Sequence, residues 1–435
     1  VTDSRTKRQF GDDGDEQIPS ARFITDWVER QFISQQFTGN HVLGEEERWV
    51  VDWQLTASRA EREAPDRREV RFDLDGGDGI YNLEVPFVTR RYDELVDNNF
   101  DLTANVDYML DTPSSIETTL SFGGQFIHRD RDADSETYGF TGGQFLDDNA
   151  PNLAVSDVIN EATITGDPST GYAFQDKTLA SDSYEAEMDL NAVYVSLDTL
   201  QNDTYQTVLG LRYEDYQQTT DTFDLADSGE AVTSELDEAV LLPAINFNWF
   251  MTDNQTLRFG ASQTVSRPDF KETSLAVFYD PDFDIRVRGN PNLQVSDATN
   301  LDVRYQFFWD DVDSWSIGAF YKDIDDPIER VVLPASGTAG NSRRFENADR
   351  ADVYGLELEG RKEWGFGSGM AQSFFVSANV SLIESEVEQL GQDTRALQGQ
   401  PEYVVNLIFG FDDVQNDQEV TLLLNQNGDT IADVG

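Results

Sequence analysis

The sequence predicts an all-β fold, an antiparallel up-and-down transmembrane β-barrel, and three observations carry that prediction. Apolar and polar residues alternate over segments of about ten residues, the spacing of strands with lipid on one side and water on the other. Short turns rich in Asp, Asn, Gly and Ser alternate with long polar loops. Aromatic residues gather beside the short turns.

In 205–213, Tyr205, Thr207, Leu209, Leu211 and Tyr213 share a face, opposed by Gln206, Gly210 and Arg212. The same alternation sets Leu241, Ile245, Phe247 and Trp249 against Asn246 and Asn248. It sets Leu301, Val303, Tyr305 and Phe307 against Asp302, Arg304 and Gln306. Phe374, Val376, Ala378, Val380 and Leu382 oppose Ser377, Asn379 and Ser381. Read along the chain, the pattern predicts strands over 22–39, 47–60, 98–109, 116–128, 183–198, 203–217 and 237–251. It continues through 255–267, 296–309, 313–330, 341–363, 371–388, 397–412 and 418–428. About fourteen strands make an incomplete wall, an arc of a barrel of roughly 22 strands. Residues 1–21 are then a piece of an extracellular loop, and 22–435 the barrel portion.

Turns such as Gln201-Asn202-Asp203 and Thr252-Asp253-Asn254 contrast with loops over 61–97, 129–182 and 268–295. A soluble sandwich has no reason to gather every long loop at one end, whereas an outer-membrane barrel does. Trp249, Phe250, Phe307, Phe308, Trp309, Trp315, Trp364 and Phe411 fit an interfacial girdle at the short-turn rim.

Composition narrows the function. The chain has 435 residues, no cysteine, and 83 acidic against 31 basic residues, a net charge of −52. Phosphate backbones demand the opposite sign, so nucleic acid is excluded as a partner. No run of about 20 apolar residues exists to make a spanning helix. Val1-Thr2-Asp3-Ser4 lacks a start methionine and an apolar leader, which suits a mature piece or fragment. The two histidines, His41 and His128, give little basis for acid–base catalysis, and no enzyme is expected.

Several phrases then become recognisable. Ser266-Arg267-Pro268 closes one strand, and Arg288-Gly289-Asn290-Pro291-Asn292-Leu293 leads into the next. Tyr321-Lys322-Asp323-Ile324-Asp325-Asp326-Pro327-Ile328, then Asn347-Ala348-Asp349-Arg350-Ala351-Asp352-Val353-Tyr354-Gly355-Leu356-Glu357-Leu358-Glu359, follow. With Gly210-Leu211-Arg212-Tyr213-Glu214, this succession resembles the barrel of TonB-dependent receptors of Gram-negative outer membranes. The resemblance implies a ligand-gated active importer of a scarce nutrient, with the plug domain and last strands lying outside this sequence. It also implies partners: its own plug, the TonB energy-coupling complex, outer-membrane lipid and lipopolysaccharide, and a small-molecule or oligosaccharide ligand. A passive porin and an acidic all-β binding protein are the alternatives. In the RGNPNL turn, Gly289 is free to take a positive φ, and Pro291 biases Asn290 toward an extended conformation.

Arg212, Glu214, Arg258, Asp302, Arg304, Glu357 and Glu359 are expected to face the lumen, pairing across the wall and holding a plug. Ligand contacts are expected from loop aromatics: Tyr138, Phe140, Phe145, Phe278 and Tyr279. Asp130-Arg131-Asp132-Ala133-Asp134-Ser135-Glu136 opens like a calcium loop, but lacks the sixth-position glycine and has Thr141 at the twelfth. Calcium is its one candidate ion; no cofactor or other metal is expected. The acidity of the loops repels anionic chelates, so a neutral oligosaccharide is favoured over a ferric siderophore.

Overall fold

The computed structural model describes residues 2–13, 18–44, 46–74, 81–83, 88–142, 155–223, 230–280, 285–310, 312–333, 342–366, 372–389 and 393–434. The chain runs β1 (Thr2–Asp13), β2 (Ile18–Leu43), β3 (Trp49–Leu74), β4 (Tyr81–Leu83), β5 (Thr89–Met109) and β6 (Ile116–Gly142). After a short helix α1 (Val155–Val158) come β7 (Tyr172–Asp176), β8 (Tyr184–Gln201), β9 (Tyr205–Phe223), β10 (Ala231–Thr252) and β11 (Gln255–Ser266). Helix α2 (Phe270–Thr273) precedes β12 (Val277–Asp280), β13 (Ile285–Arg288), β14 (Ser296–Phe308), β15 (Ser314–Asp325) and β16 (Ile328–Leu333). The chain closes with β17 (Ser342–Asn347), β18 (Arg350–Phe366), β19 (Gln372–Glu388), β20 (Tyr403–Asp413) and β21 (Gln418–Asn427).

Fifteen of these make the wall. β1, β2, β3, β5, β6, β8, β9, β10, β11, β14, β15, β18, β19, β20 and β21 pair antiparallel, each with its successor. This is the meander the alternation predicts. Fourteen wall strands fall on the expected segments, and β1 adds a fifteenth where a loop piece was expected. The expected segment 313–330 divides into β15 and β16, and 341–363 into β17 and β18. At the first break Asp326 takes φ 52° before Pro327, which has no amide hydrogen for the ladder, and the chain leaves the wall.

Register separates the faces. One row runs Phe247, Phe259, Val303, Ala319, Leu356, Leu382 across six strands. The row on the opposite face runs Gln206, Asn248, Arg258, Arg304, Gly318, Glu357, Ser381. Leu241, Leu356 and Leu382 are 55, 51 and 54% exposed, so the described residues leave the apolar face uncovered. Four grooves of about 350, 450, 400 and 480 Å³ are lined largely from this face, such as the one with Leu209, Ile245 and Ala261. They are the spaces between ridges of side chains.

At the short turns, Asn202 and Asp203 both adopt φ 51°, which these residue types tolerate. Trp309 and Trp364 stand exposed there, with Phe307 5.2 Å from Trp309 and Phe374 6.2 Å from Trp364 between ring centres. Phe250 and Phe308 do not join them. They pair opposite Thr256 and Ser314, on the polar face, because alternation puts adjacent residues on opposite sides.

Candidate functional site at the mouth of the polar face

At the long-loop end the segment after β11 folds onto the polar face instead of extending away. Asp269 starts α2 with a reciprocal cap: its carboxylate accepts from the Lys271 amide at 3.1 Å, and Glu272 accepts from the Asp269 amide at 3.0 Å. That cap aims Phe270, 2% exposed, into a cluster with Ala133, Tyr184, Ala186 and Ala276. Arg129 and Arg131 lie over the Phe270 ring at 5.0 and 5.2 Å. Both guanidiniums reach Asp97 at 2.7 Å, and Arg131 also reaches Asp269 at 2.9 Å. Burial opposes ionisation of Asp97, but the bonds from Arg129 and Arg131 outweigh it and hold the carboxyl below its ordinary range.

A second anchor lies alongside. Arg267 stacks 4.4 Å over Tyr216 and contacts Glu214 at 2.9 Å and Glu238 at 3.4 Å. Arg212 contacts the other Glu214 oxygen at 2.6 Å and donates to Gln125 at 3.0 Å. Thr273 meets the Thr220 hydroxyl at 2.8 Å. Arg129 and Arg131 on β6, Glu214, Tyr216 and Thr220 on β9 and Glu238 on β10, six residues on three wall strands, thus hold the start of this loop.

The loop continues into a second sheet, ordered β12, β13, β17, β16, in which β13 and β17 run parallel. It joins residues 277–288 to residues 328–347, two loops separated by a complete wall hairpin. Its four strands carry five arginines (Arg286, Arg288, Arg330, Arg343, Arg344) and three acids (Asp280, Glu329, Glu346). Asp433 pairs with Arg330 at 2.7 Å and also with Arg343, and Arg344 contacts Glu346. Arg288 stands opposite Arg344 in register, and its buried Nε has no acceptor among the described residues. Burial, then the charge of Arg344, depresses the Arg288 pKa.

The RGNPNL turn stitches these parts together. Gly289 does not use its freedom to take a positive φ; it is required for space. A Cβ there would lie 2.2 Å from the Ser274 carbonyl oxygen and 2.5 Å from that of Glu272. The close approach lets the Asn290 amide donate to Glu272 O at 2.6 Å, while the Asn290 side chain donates to Phe345 O at 3.1 Å. Gly289→Ala is expected to push the turn off α2 at a cost of about 1–3 kcal/mol, as overpacking does elsewhere. Amide exchange at Asn290 reports it; unchanged protection would show that the approach is not needed.

The residues singled out from the sequence distribute unevenly. Arg212 and Glu214 belong to the second anchor. Arg304 pairs with Glu359 across Gly318, while Arg258 lies opposite Arg304, Asp302 opposite Gly260, and Glu357 opposite Gly318. All seven stand on the polar face. Of the aromatics, Tyr138 and Phe140 do not converge with Phe278. Tyr138 stacks on Phe174 at 5.5 Å, and Phe140 packs on the loop cluster of Leu83, Val158 and Tyr172. By register both stand on the face of β6 that bears Phe122 and Phe126 lower down. Phe278 lies elsewhere, with the Lys271 ammonium 3.8 Å above its ring. Tyr279 pairs opposite Arg286 in β12, and Phe145 lies outside the described residues. The calcium-type stretch Asp130–Glu136 is strand, not loop. Its four acids follow one another at about 7 Å along one face, too far apart to wrap an ion. Sequence reading missed the Asp97, Arg129, Arg131, Asp269 anchor. Its signal is present in RDRDAD, which puts two arginines on one face of a strand and acids on the other.

A sequential antiparallel wall with an uncovered apolar face, a polar face and loops folded over one end defines an outer-membrane β-barrel. The chain belongs to the TonB-dependent receptors: the family model described as TonB dependent receptor-like, beta-barrel, matches residues 3–429. Its place is therefore the bacterial outer membrane. A curated relative, the probable TonB-dependent siderophore receptor PirA of Acinetobacter baumannii, is 21% identical over 293 residues, 62% of this chain. The chain spans 35% of that relative's length. Among solved structures, the siderophore receptor PiuA from Acinetobacter baumannii superposes with a TM-score of 0.58 at 11% identity, covering 94% of this chain and 64% of that one. The ferric-catecholate import receptor Fiu from K12 E. coli gives 0.51 at 11% identity, over 98% and 68%. The copper transporter OprC gives 0.53 at 11% identity, over 99% and 63%.

Proposed function

We propose that this chain is the barrel portion of an energy-coupled importer whose ligand is an anionic metal chelate. The apolar face meets lipid, and the polar face lines a lumen filled by the receptor's plug, which couples to the TonB complex. The observation that carries the ligand class is the loop sheet, where Arg288, Arg330, Arg343 and Arg344 gather with Glu329, Glu346 and Asp433 in a chain of net charge −52. Overall acidity argued for a neutral oligosaccharide. Screening over about 8 Å at physiological salt means that a ligand reads the charges beside it, not the chain's total. Those charges are positive here, and Arg288 offers a buried donor with no acceptor among the described residues. The name of the curated relative, a probable siderophore receptor, agrees with this reading.

The test uses the full receptor with a ferric catecholate and a neutral maltodextrin, following binding by tryptophan fluorescence and uptake in cells. The chelate is expected to bind, and Arg288→Gln and Arg344→Gln each to weaken it about tenfold or more, the worth of a charged hydrogen bond. Uptake is expected to stop when the inner membrane is de-energised; continued uptake would indicate a porin. Saturable maltodextrin binding without chelate binding would overturn the ligand class and leave the fold untouched.

A further inference from the structure

On the outer wall, where the apolar band ends, the register of β5, β6 and β8 assembles a set of donors that the transport reading does not use. His128 lies directly across from Phe100 on one side and Asp189 on the other, one row above Leu102 and Phe126. Its Nδ1 is 2.9 Å from Asp189 Oδ1 and 3.9 Å from Glu187 Oε1. One donor atom from each of the three residues lies within 4.8 Å of the others. Tetrahedral zinc, with bonds of about 2.0–2.2 Å, sets its ligand atoms about 3.3–3.5 Å apart, a spacing the two measured separations bracket.

We propose that His128, Asp189 and Glu187 form a binding site for a divalent transition-metal ion of the zinc class on the outer surface of the barrel. One imidazole with two carboxylates suits zinc and its borderline neighbours, whereas calcium and magnesium prefer all-oxygen sets. Coordination through Nδ1 places the single proton of the neutral ring on Nε2. That nitrogen stands 4.0 Å from Asp130 Oδ1, beyond hydrogen-bond reach, so Asp130 faces the ring's second nitrogen without holding it. His128 and Asp189 are each 37% exposed and Glu187 64%, which leaves a fourth position open to water. The site differs from the calcium-type loop expected from the sequence. Its ligands come from two strands, and Asp130 is its only residue from the 130–136 stretch.

The full receptor in detergent, titrated with Co²⁺ and read by d–d absorption, tests the assignment. One equivalent is expected to bind with a tetrahedral-type spectrum and to be displaced by Zn²⁺ but not by Ca²⁺. His128→Ala and Asp189→Asn are each expected to weaken binding at least about tenfold, since each removes one of the three ligands. Heat-modifiable gel mobility confirms that each variant is folded. The near-isosteric Asp189→Asn keeps the test open if His128→Ala does not assemble. Absence of a cobalt spectrum, undiminished binding in folded His128→Ala, or equal displacement by Ca²⁺ would each overturn the proposal.

Discussion

Asp97→Ala is expected to free the start of the 267–295 loop from the barrel wall. Asp97 is 9% exposed and accepts from both Arg129 and Arg131. Removing it leaves two guanidiniums stacked on Phe270 with Asp269 as their one carboxylate among the described residues. Breaking one side of a buried ion network typically costs about 3–5 kcal/mol. Amide exchange across Phe270–Ser274 should therefore quicken by roughly a hundredfold or more, since each 1.4 kcal/mol is a factor of ten. The wall strands should keep their protection. The anchor also carries a pH signature. The folded carboxyl titrates below its ordinary value, so its contribution is complete above the unfolded pKa. It is lost as the pH falls through the lower, folded value. Protection of the segment that stays at the wild-type level in Asp97→Ala would assign the hold to Phe270 packing alone.

Val303→Arg is expected to have the other large effect, and Asn246→Arg very little. Val303 is 36% exposed in the apolar row between Phe259 and Ala319. Asn246 lies opposite Gly260 on the polar face. A basic residue facing lipid near mid-depth costs about 2–4 kcal/mol, whereas one facing a wet interior costs little. Urea unfolding of the receptor in bilayers, compared between the two variants, measures the difference. Equal losses would mean that the two faces are wrongly assigned.

The limits of β11 and β14 show what was legible. Gln255–Ser266 and Ser296–Phe308 match the expected 255–267 and 296–309 to within one residue. Their alternation is imposed by lipid, which penalises a polar side chain at every second position and so fixes register as well as location. β6 shows where legibility stops. It was expected to end at residue 128 and runs to Gly142. Beyond His128 its outer residues Asp130, Asp132, Asp134 and Glu136 no longer meet lipid, so alternation no longer separates apolar from polar. Pairing with β5 and β8 carries the strand on. The same holds for β3, whose expected end at residue 60 lies well short of Leu74. Period-two hydrophobicity therefore marks the membrane and not the strand.

The sequence by itself determined the antiparallel wall, the order of its strands, the two faces and the resemblance of its turns, because each is written within a few neighbouring residues. Only the tertiary structure decided the mouth. Arg288 and Arg344 meet through a parallel pairing of β13 with β17, and Arg131 meets Asp269 across 138 residues of chain. Such contacts depend on where two loops fold and leave no period in either segment. The close approach at Gly289 has the same origin: what forbids a side chain there is a carbonyl of Ser274, which approaches only once the loop has closed.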